Sequence, residues 1–415
     1  MSDHDGVKSG GAASELAGDL ADPRFWERPE AQRREVFARL RRLDHPVFVT
    51  PPGARGYHAL VRHADVVAAS KDSELFSSEP AVTTPEPPAW VRAVFGESMV
   101  NMDGPAHKGL RTVVSRAFTP RRVAGIVDDI HVASREIVDD VLATRPADFV
   151  HAVAAQLPVR VICDMMGIAA KDREWVLAQV SDSTEFIGVR RPLLRLPGQN
   201  LRALAKLHLL VRAVGRERRR DPRDDLVSAL VTANVDGQRL SGRQLGSFFS
   251  LLLVAGIETT RNAIALGLKL LTEHPDQRAL LLTDLDGRLP GAVDEMVRFA
   301  TPIRQFRRRV TRDVEWRGHP LRADDRVVLF YVSANRDEDV FPEPDVFDVT
   351  RAPNAHVGFG GGGAHFCLGA HLARTEMKAL FGELLRRLPE VRMSGEPTIA
   401  ASSFDNRVLR MPFTF

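Results

Sequence analysis

The stretch GSFFSLLLVAGIETTRNAIALGLKLLTEH runs from Gly246 to His274 without a proline. At 1.5 Å per residue a helix of that length spans roughly 40 Å, so the chain must fold around it. Past Glu258 the segment is too polar to cross a bilayer, which places it inside a globular body. Its middle is unusual. Ala255 and Gly256 clear space, and Glu258 is followed by Thr259 and Thr260, β-branched alcohols that disfavour helix. One threonine bonded back to its own helix would be ordinary, but an acid followed by two alcohols asks for a further reason.

Elsewhere, helical spacing covers Pro29 to about Leu43, and a strand leads into a helix from Tyr57 to Asp72. Phe76 to Met102 is broken by prolines and reads as a long surface loop. Helices dominate from Pro105 to about Pro290. Short strands follow between Arg307 and Val332 and in the terminal VLRMPFTF. The expected fold class is mainly α with a small β region. Residues 1–22, polar and rich in small side chains, are expected to be a flexible N-terminal segment before a single domain over 23–415.

Apolar residues at 44% and charged residues at 27% suit a globular enzyme, and a net charge of +3 gives no reason to expect nucleic acid as a partner. No stretch reads as a signal peptide or a membrane anchor, so a cytoplasmic protein is expected. In that reducing compartment the two cysteines are free thiols rather than a disulfide. Cys163, in VRVICDMMGI, belongs to an apolar helix and to the core.

Cys367 is different. It sits between the run Gly360 to Gly363 and an amphipathic helix from Leu368 to Leu388. The positive end of a helix stabilises a thiolate, which makes the sulfur a nucleophile or a metal ligand. Gly369 leaves a surface without side chain beside it. From this segment alone three readings stand: a cysteine hydrolase with His365 as base, a metal-ligating thiolate, or a buried cysteine at a tight turn. Zinc is a poor fit, because no paired ligands are spaced for it.

The order of residues decides among them. From Phe359 through the glycines, His365, Cys367 and Gly369, the segment resembles the haem-binding loop of the cytochrome P450 family. The resemblance implies one triangular, mainly α domain from about Pro29 onward, holding haem b with Cys367 as the thiolate ligand of the iron. It implies that Phe359 packs beside the sulfur and that His365 reaches a haem propionate. Phe359 stands one residue further from the cysteine than the commonest spacing. That longer loop is similar to the one in actinobacterial members that hydroxylate sterols and methyl-branched lipids.

Other segments agree. His107 and Arg111, followed by AFTP, resemble the family's propionate-binding helix, and Arg308 in PIRQFRRRV matches a third propionate partner. Ala255 to Thr260 resembles the oxygen-activation motif, in which Thr259 hydrogen-bonds the oxygen being reduced and Glu258 helps relay protons, while Ala255 and Gly256 flank the haem. Glu295 and Arg298, joined by Arg351, resemble a buried structural network, and Ala334 to Asp337 a structural turn.

By family position the substrate pocket is lined by Phe76 to Met102, Phe186 to Pro197, Leu252, Val254, Ile303, Arg304 and Phe404. Arg304 stands where relatives often place an aliphatic residue, and two readings are open: it recognises a carboxylate or other polar group on an otherwise apolar small molecule, or it turns to a propionate or a neighbouring acid. Electrons are expected from a ferredoxin and its NAD(P)H-dependent reductase, docking near Lys108, Arg116 and Arg374. The resemblance implies a monooxygenase, with a haem-binding sensor or carrier as the alternative.

Overall fold

Ser241 fixes where the long helix begins. Its hydroxyl accepts the Gln244 N–H, and the Gln244 side chain accepts the Ser241 N–H in return, so two otherwise orphaned donors are satisfied. In the computed structural model this helix runs Gly242–Glu273. The structure describes residues 4–84, 86, 90, 97–117, 120–184, 199–223, 225–232, 234–235 and 238–415.

Six helices carry the argument: α1 His4–Ala21, α2 Gly104–Ala117, α3 Arg173–Thr184, α4 Gly242–Glu273, α5 Leu285–Ala300 and α6 Ala370–Arg387. The five strands of the main sheet are β1 Val47–Val49, β2 Tyr57–Leu60, β3 Phe76–Ser77, β4 Gln305–Val310 and β5 Arg326–Phe330. They lie in the order β1-β2-β5-β4-β3, with β2 parallel to β5 and the other neighbours antiparallel. The helical and strand segments expected from the pattern are present, and the last residues form two short strands, Val408–Arg410 and Phe413–Thr414.

Residues 4–21 depart from the flexible segment expected of residues 1–22. They form α1, and Leu16 and Leu20 are buried against Phe25, Phe37 and Val49. Two leucines one helical turn apart give this stretch an apolar face that composition averages away.

Two apolar clusters meet along α4. Leu245 to Ile257 pack with Val159, Ile162 and Leu230, whereas Ala263 to Leu271 pack with α5, α6 and the helix Pro120–Thr144. The junction between them is the segment Glu258 to Asn262. Close approach of α6 depends on Gly267, where a Cβ would lie 2.7 Å from the Phe381 ring. By length and composition α4 could span a membrane, but 67% of its most apolar window is buried in protein, as befits a core helix.

Candidate active site

On α4, the residues Leu252, Val254, Ala255, Gly256 and Thr259 are accessible, while Leu253, Ile257, Glu258 and Thr260 beside them are buried. Positions 252, 255, 256 and 259 recur at helical spacing, so among the described residues one face of this core helix is left uncovered. Gly256 is required on the flank of that face, since a Cβ there would meet Ile162 at 2.6 Å. The Thr259 hydroxyl donates to the Ala255 carbonyl at 2.6 Å, which leaves its oxygen lone pairs free to accept.

Cys367 lies two residues before the N-cap of α6. It is exposed, although enough protein encloses it for burial to push its thiol up. The Gly369 N–H and the guanidinium groups of Arg111 and Arg374 act in the opposite sense and favour the thiolate. The Cys367 N–H donates to the Phe359 carbonyl at 2.9 Å, closing the loop. No atom lies within 4 Å of where a Gly369 Cβ would stand. Leu368 packs on the same apolar cluster as Leu252 and Val254. Cys163, by contrast, is sealed in the core, and burial pushes its thiol up to about 12.

The side chains expected at the propionates are His107, Arg111, Arg308 and His365. His107 is buried and stacks on His365 with ring centroids 4.2 Å apart. Burial, together with nearby His365 and Arg111, lowers its pKa to about 4, so at pH 7 His107 is a neutral donor rather than a cation. Arg111 donates to the Phe366 carbonyl at 2.6 Å. On β4, Arg307 is taken by Ala81 and Glu86 and Arg309 by Asp324, so Arg308 has no carboxylate partner among the described residues.

Three of the expected residues have further partners. His365 gains protein partners that the sequence did not show, with Nε2 3.0 Å from Asp103 Oδ1 and 3.1 Å from Ser78 Oγ. Burial pushes the Asp103 carboxyl up, but hydrogen bonds from His365, Ser77 and the Ser78 N–H outweigh it and hold the pKa at about 2. Arg304 does not offer its charge to a substrate. Its guanidinium donates to the Ser402 carbonyl and to Asn406 Oδ1, lies 4.9 Å over the Trp26 ring, and is 2% exposed. Burial brings its pKa down to about 9, which the cation–π contact and hydrogen bonds make tolerable. Arg374 is held by Asp294 and covers Phe359, so it is only partly available for docking.

Ile303 pairs with Asp405 across an isolated bridge, and Phe404 packs against Phe306 at 5.7 Å. The expected pocket stretch Phe186 to Pro197 lies outside the described residues, as do much of Phe76 to Met102 and the Arg116 side chain. A cleft of ≈ 730 Å³ is lined by Asp103, His107, Lys108, Arg111, Thr112 and Ala364 and so borders side chains expected at the propionates, though neither Cys367 nor Thr259 lines it.

Sequence reasoning missed the partners of Glu258. Arg261, three residues on, donates to Glu258 Oε2 at 2.6 Å, and Ser181 on α3 donates to Oε1 at 3.2 Å while accepting from Arg261 at 3.1 Å. The pair is one of five Glu-x-x-Arg spacings in the chain, so the spacing was a weak signal.

A single thiolate donor, a side-chain-free surface beside it, an uncovered helix face with small residues and several cationic or hydrogen-bonding side chains together fit haem b. Residues 192–399 match the family model "Cytochrome P450". The chain is 41% identical over 408 residues to a methyl-branched lipid omega-hydroxylase of Mycobacterium tuberculosis, covering 96% of this chain and 94% of the relative. It is 34% identical to a steroid C26-monooxygenase of Mycolicibacterium smegmatis, with 90% and 88% of the two chains covered. Among solved structures, a Mycobacterium marinum cytochrome P450 in complex with pseudoionone superposes with a TM-score of 0.88 at 41% identity, over 95% of this chain and 97% of that one. The chain belongs to the cytochrome P450 family, the haem b monooxygenases that draw on NAD(P)H through redox partners.

Proposed function

We propose that this enzyme hydroxylates a largely apolar lipid, methyl-branched or steroid-like, using electrons from a ferredoxin and its reductase in the cytoplasm. The observation that carries the reading is the apolar pocket wall. Leu252, Val254, Ala255, Ile303 and Phe404 are partly accessible, and Arg304, the one cation expected among them, is tied to Ser402, Asn406 and Trp26. Such a wall binds by exclusion of water and leaves orientation to shape. The substrate classes named for the two relatives support the same choice.

In this reading Cys367 ligates the iron, and His107, Arg111 and Arg308 hold the propionates. Phe359, Gly369, Ala255 and Gly256 shape the space around the ring, with His365 bracing the loop through Asp103. When bound, the haem supplies reductive activation of O2 and insertion of one oxygen atom into a C–H bond, the other leaving as water. Thr259 accepts and passes a hydrogen bond at the cavity wall. Glu258 connects that point to Ser181 and Arg261 and so to the outer helices. An acidic ferredoxin would meet Lys108 and the exposed ring of Phe366 near the cysteine loop.

The experiment is turnover with a ferredoxin, its reductase and NAD(P)H, offering a methyl-branched fatty acid and a steroid side by side. A hydroxylated product from either, identified by mass spectrometry, is the expected result. NAD(P)H oxidation with neither substrate altered would reject the substrate class.

A further inference from the structure

We propose that Asp294 and Arg374 clamp the Phe359 ring and thereby set how strongly Cys367 donates to the iron, which makes Arg374 a positioning residue of the haem site. The inference rests on the reading of Cys367 as the ligand.

The loop from Phe359 to Cys367 carries one residue more than the commonest family spacing, and three of its glycines, Gly360, Gly362 and Gly363, have φ of +96°, +91° and +75°. Such a loop has little stiffness of its own. The structure pins its first residue from two sides. The Phe359 carbonyl accepts the Cys367 N–H at 2.9 Å, and the Arg374 guanidinium lies 4.4 Å from the Phe359 ring centroid. Arg374 is on α6 and is fixed in turn by Asp294 on α5, with Nε to Oδ1 at 2.6 Å.

His356 completes the clamp. Its Nδ1 accepts the Gly358 N–H at 3.1 Å, so Nε2 carries the proton that it directs at Asp294 Oδ1, 3.3 Å away. Its ring meets Phe359 at 5.6 Å. One carboxylate therefore joins α5, α6 and both sides of the loop's start.

The charges have a definite sense. In the reading that places the Phe359 ring beside Cys367, a guanidinium held over that ring draws on the sulfur's electron density and favours the more negative, reduced state of the centre. Asp294 offsets part of that charge. Removing the cation and removing its counter-ion must then shift the reduction equilibrium in opposite directions. A clamp that only held the loop in place would move it the same way in both cases.

The test is spectroelectrochemical titration of the haem-loaded protein, with the position of the carbon monoxide band and the ferredoxin Kd measured on the same samples. Arg374→Gln is expected to make reduction three- to tenfold less favourable, up to about 59 mV for one electron. Asp294→Asn is expected to shift it the other way, and Arg374→Lys to recover most of the wild-type value. Should Arg374→Gln fail to retain haem, Asp294→Asn still decides: a shift toward easier reduction supports the proposal, and a shift the other way overturns it. Shifts of the same sign, or an unchanged potential with only the ferredoxin Kd altered, would overturn the proposal. Absence of a red-shifted carbon monoxide band in the wild type would instead remove the ligand reading on which it stands.

Discussion

Two buried glutamates, each paired with an arginine three residues later on one helix, have different surroundings. On α5, Glu295 is 0% exposed and accepts five hydrogen bonds: two from Arg298, and one each from Arg351, Asn354 and the Asp348 N–H. Arg298 is equally spent, on the carbonyls of Asn335, Pro344 and Val346. On α4, among the described residues, Glu258 has only Arg261 and Ser181, and Arg261 Nε has no partner. The first pair is saturated and can only hold its neighbours still. The second has spare valence beside an accessible threonine, which is what the proposed proton relay requires. In the proposed reading the same spacing serves as a frame in one place and as a relay in the other, and the number of remaining partners separates them.

The largest effect should come from breaking the frame. Glu295→Gln leaves Arg298 and Arg351 as uncompensated buried charges, a loss of about 3–5 kcal/mol, read as a collapse in the yield of folded protein or in its denaturation midpoint. Glu258→Gln should instead leave a folded haem protein whose product formation falls about 100-fold, with peroxide released in place of product. If the two variants behave alike, the distinction fails.

Ser181→Ala probes the weaker half of the relay. Removing the hydroxyl that bridges Glu258 and Arg261 should cost about 1 kcal/mol in stability and slow turnover less than Glu258→Gln does. Equal slowing would mean that the hydroxyl, and not the carboxylate, moves the proton.

Asp103 offers the mildest test. Its folded pKa of about 2 lies below the ordinary 3.8, so its contribution is complete above about pH 4 and is lost as the pH falls through 2. Unfolding followed across that range should show the loss, and Asp103→Asn should flatten it.

Much of this was legible in the chain because it depends on local order. Helical spacing from Leu368 to Leu388 gives α6 within two residues at either end, and the cysteine, the acid with its threonine and the frame glutamate are each marked by short motifs. What could not be read depends on which side chains meet from distant segments. Arg304 points to Trp26, which precedes it by 278 positions, and His365 is held by Asp103 across 262 positions. Arg374 looked like a free surface cation until Asp294, on another helix, was seen to hold it. The buried face of α1 was hidden for another reason, since two leucines suffice once β1 provides a surface for them.

The most direct test of the account is the absorption spectrum of the reduced protein under carbon monoxide, for the wild type and for Cys367→His. The account predicts a strongly red-shifted Soret band in the wild type and its loss in the variant. A wild-type band typical of a neutral ligand, or a variant indistinguishable from the wild type, would contradict Cys367 as the thiolate ligand.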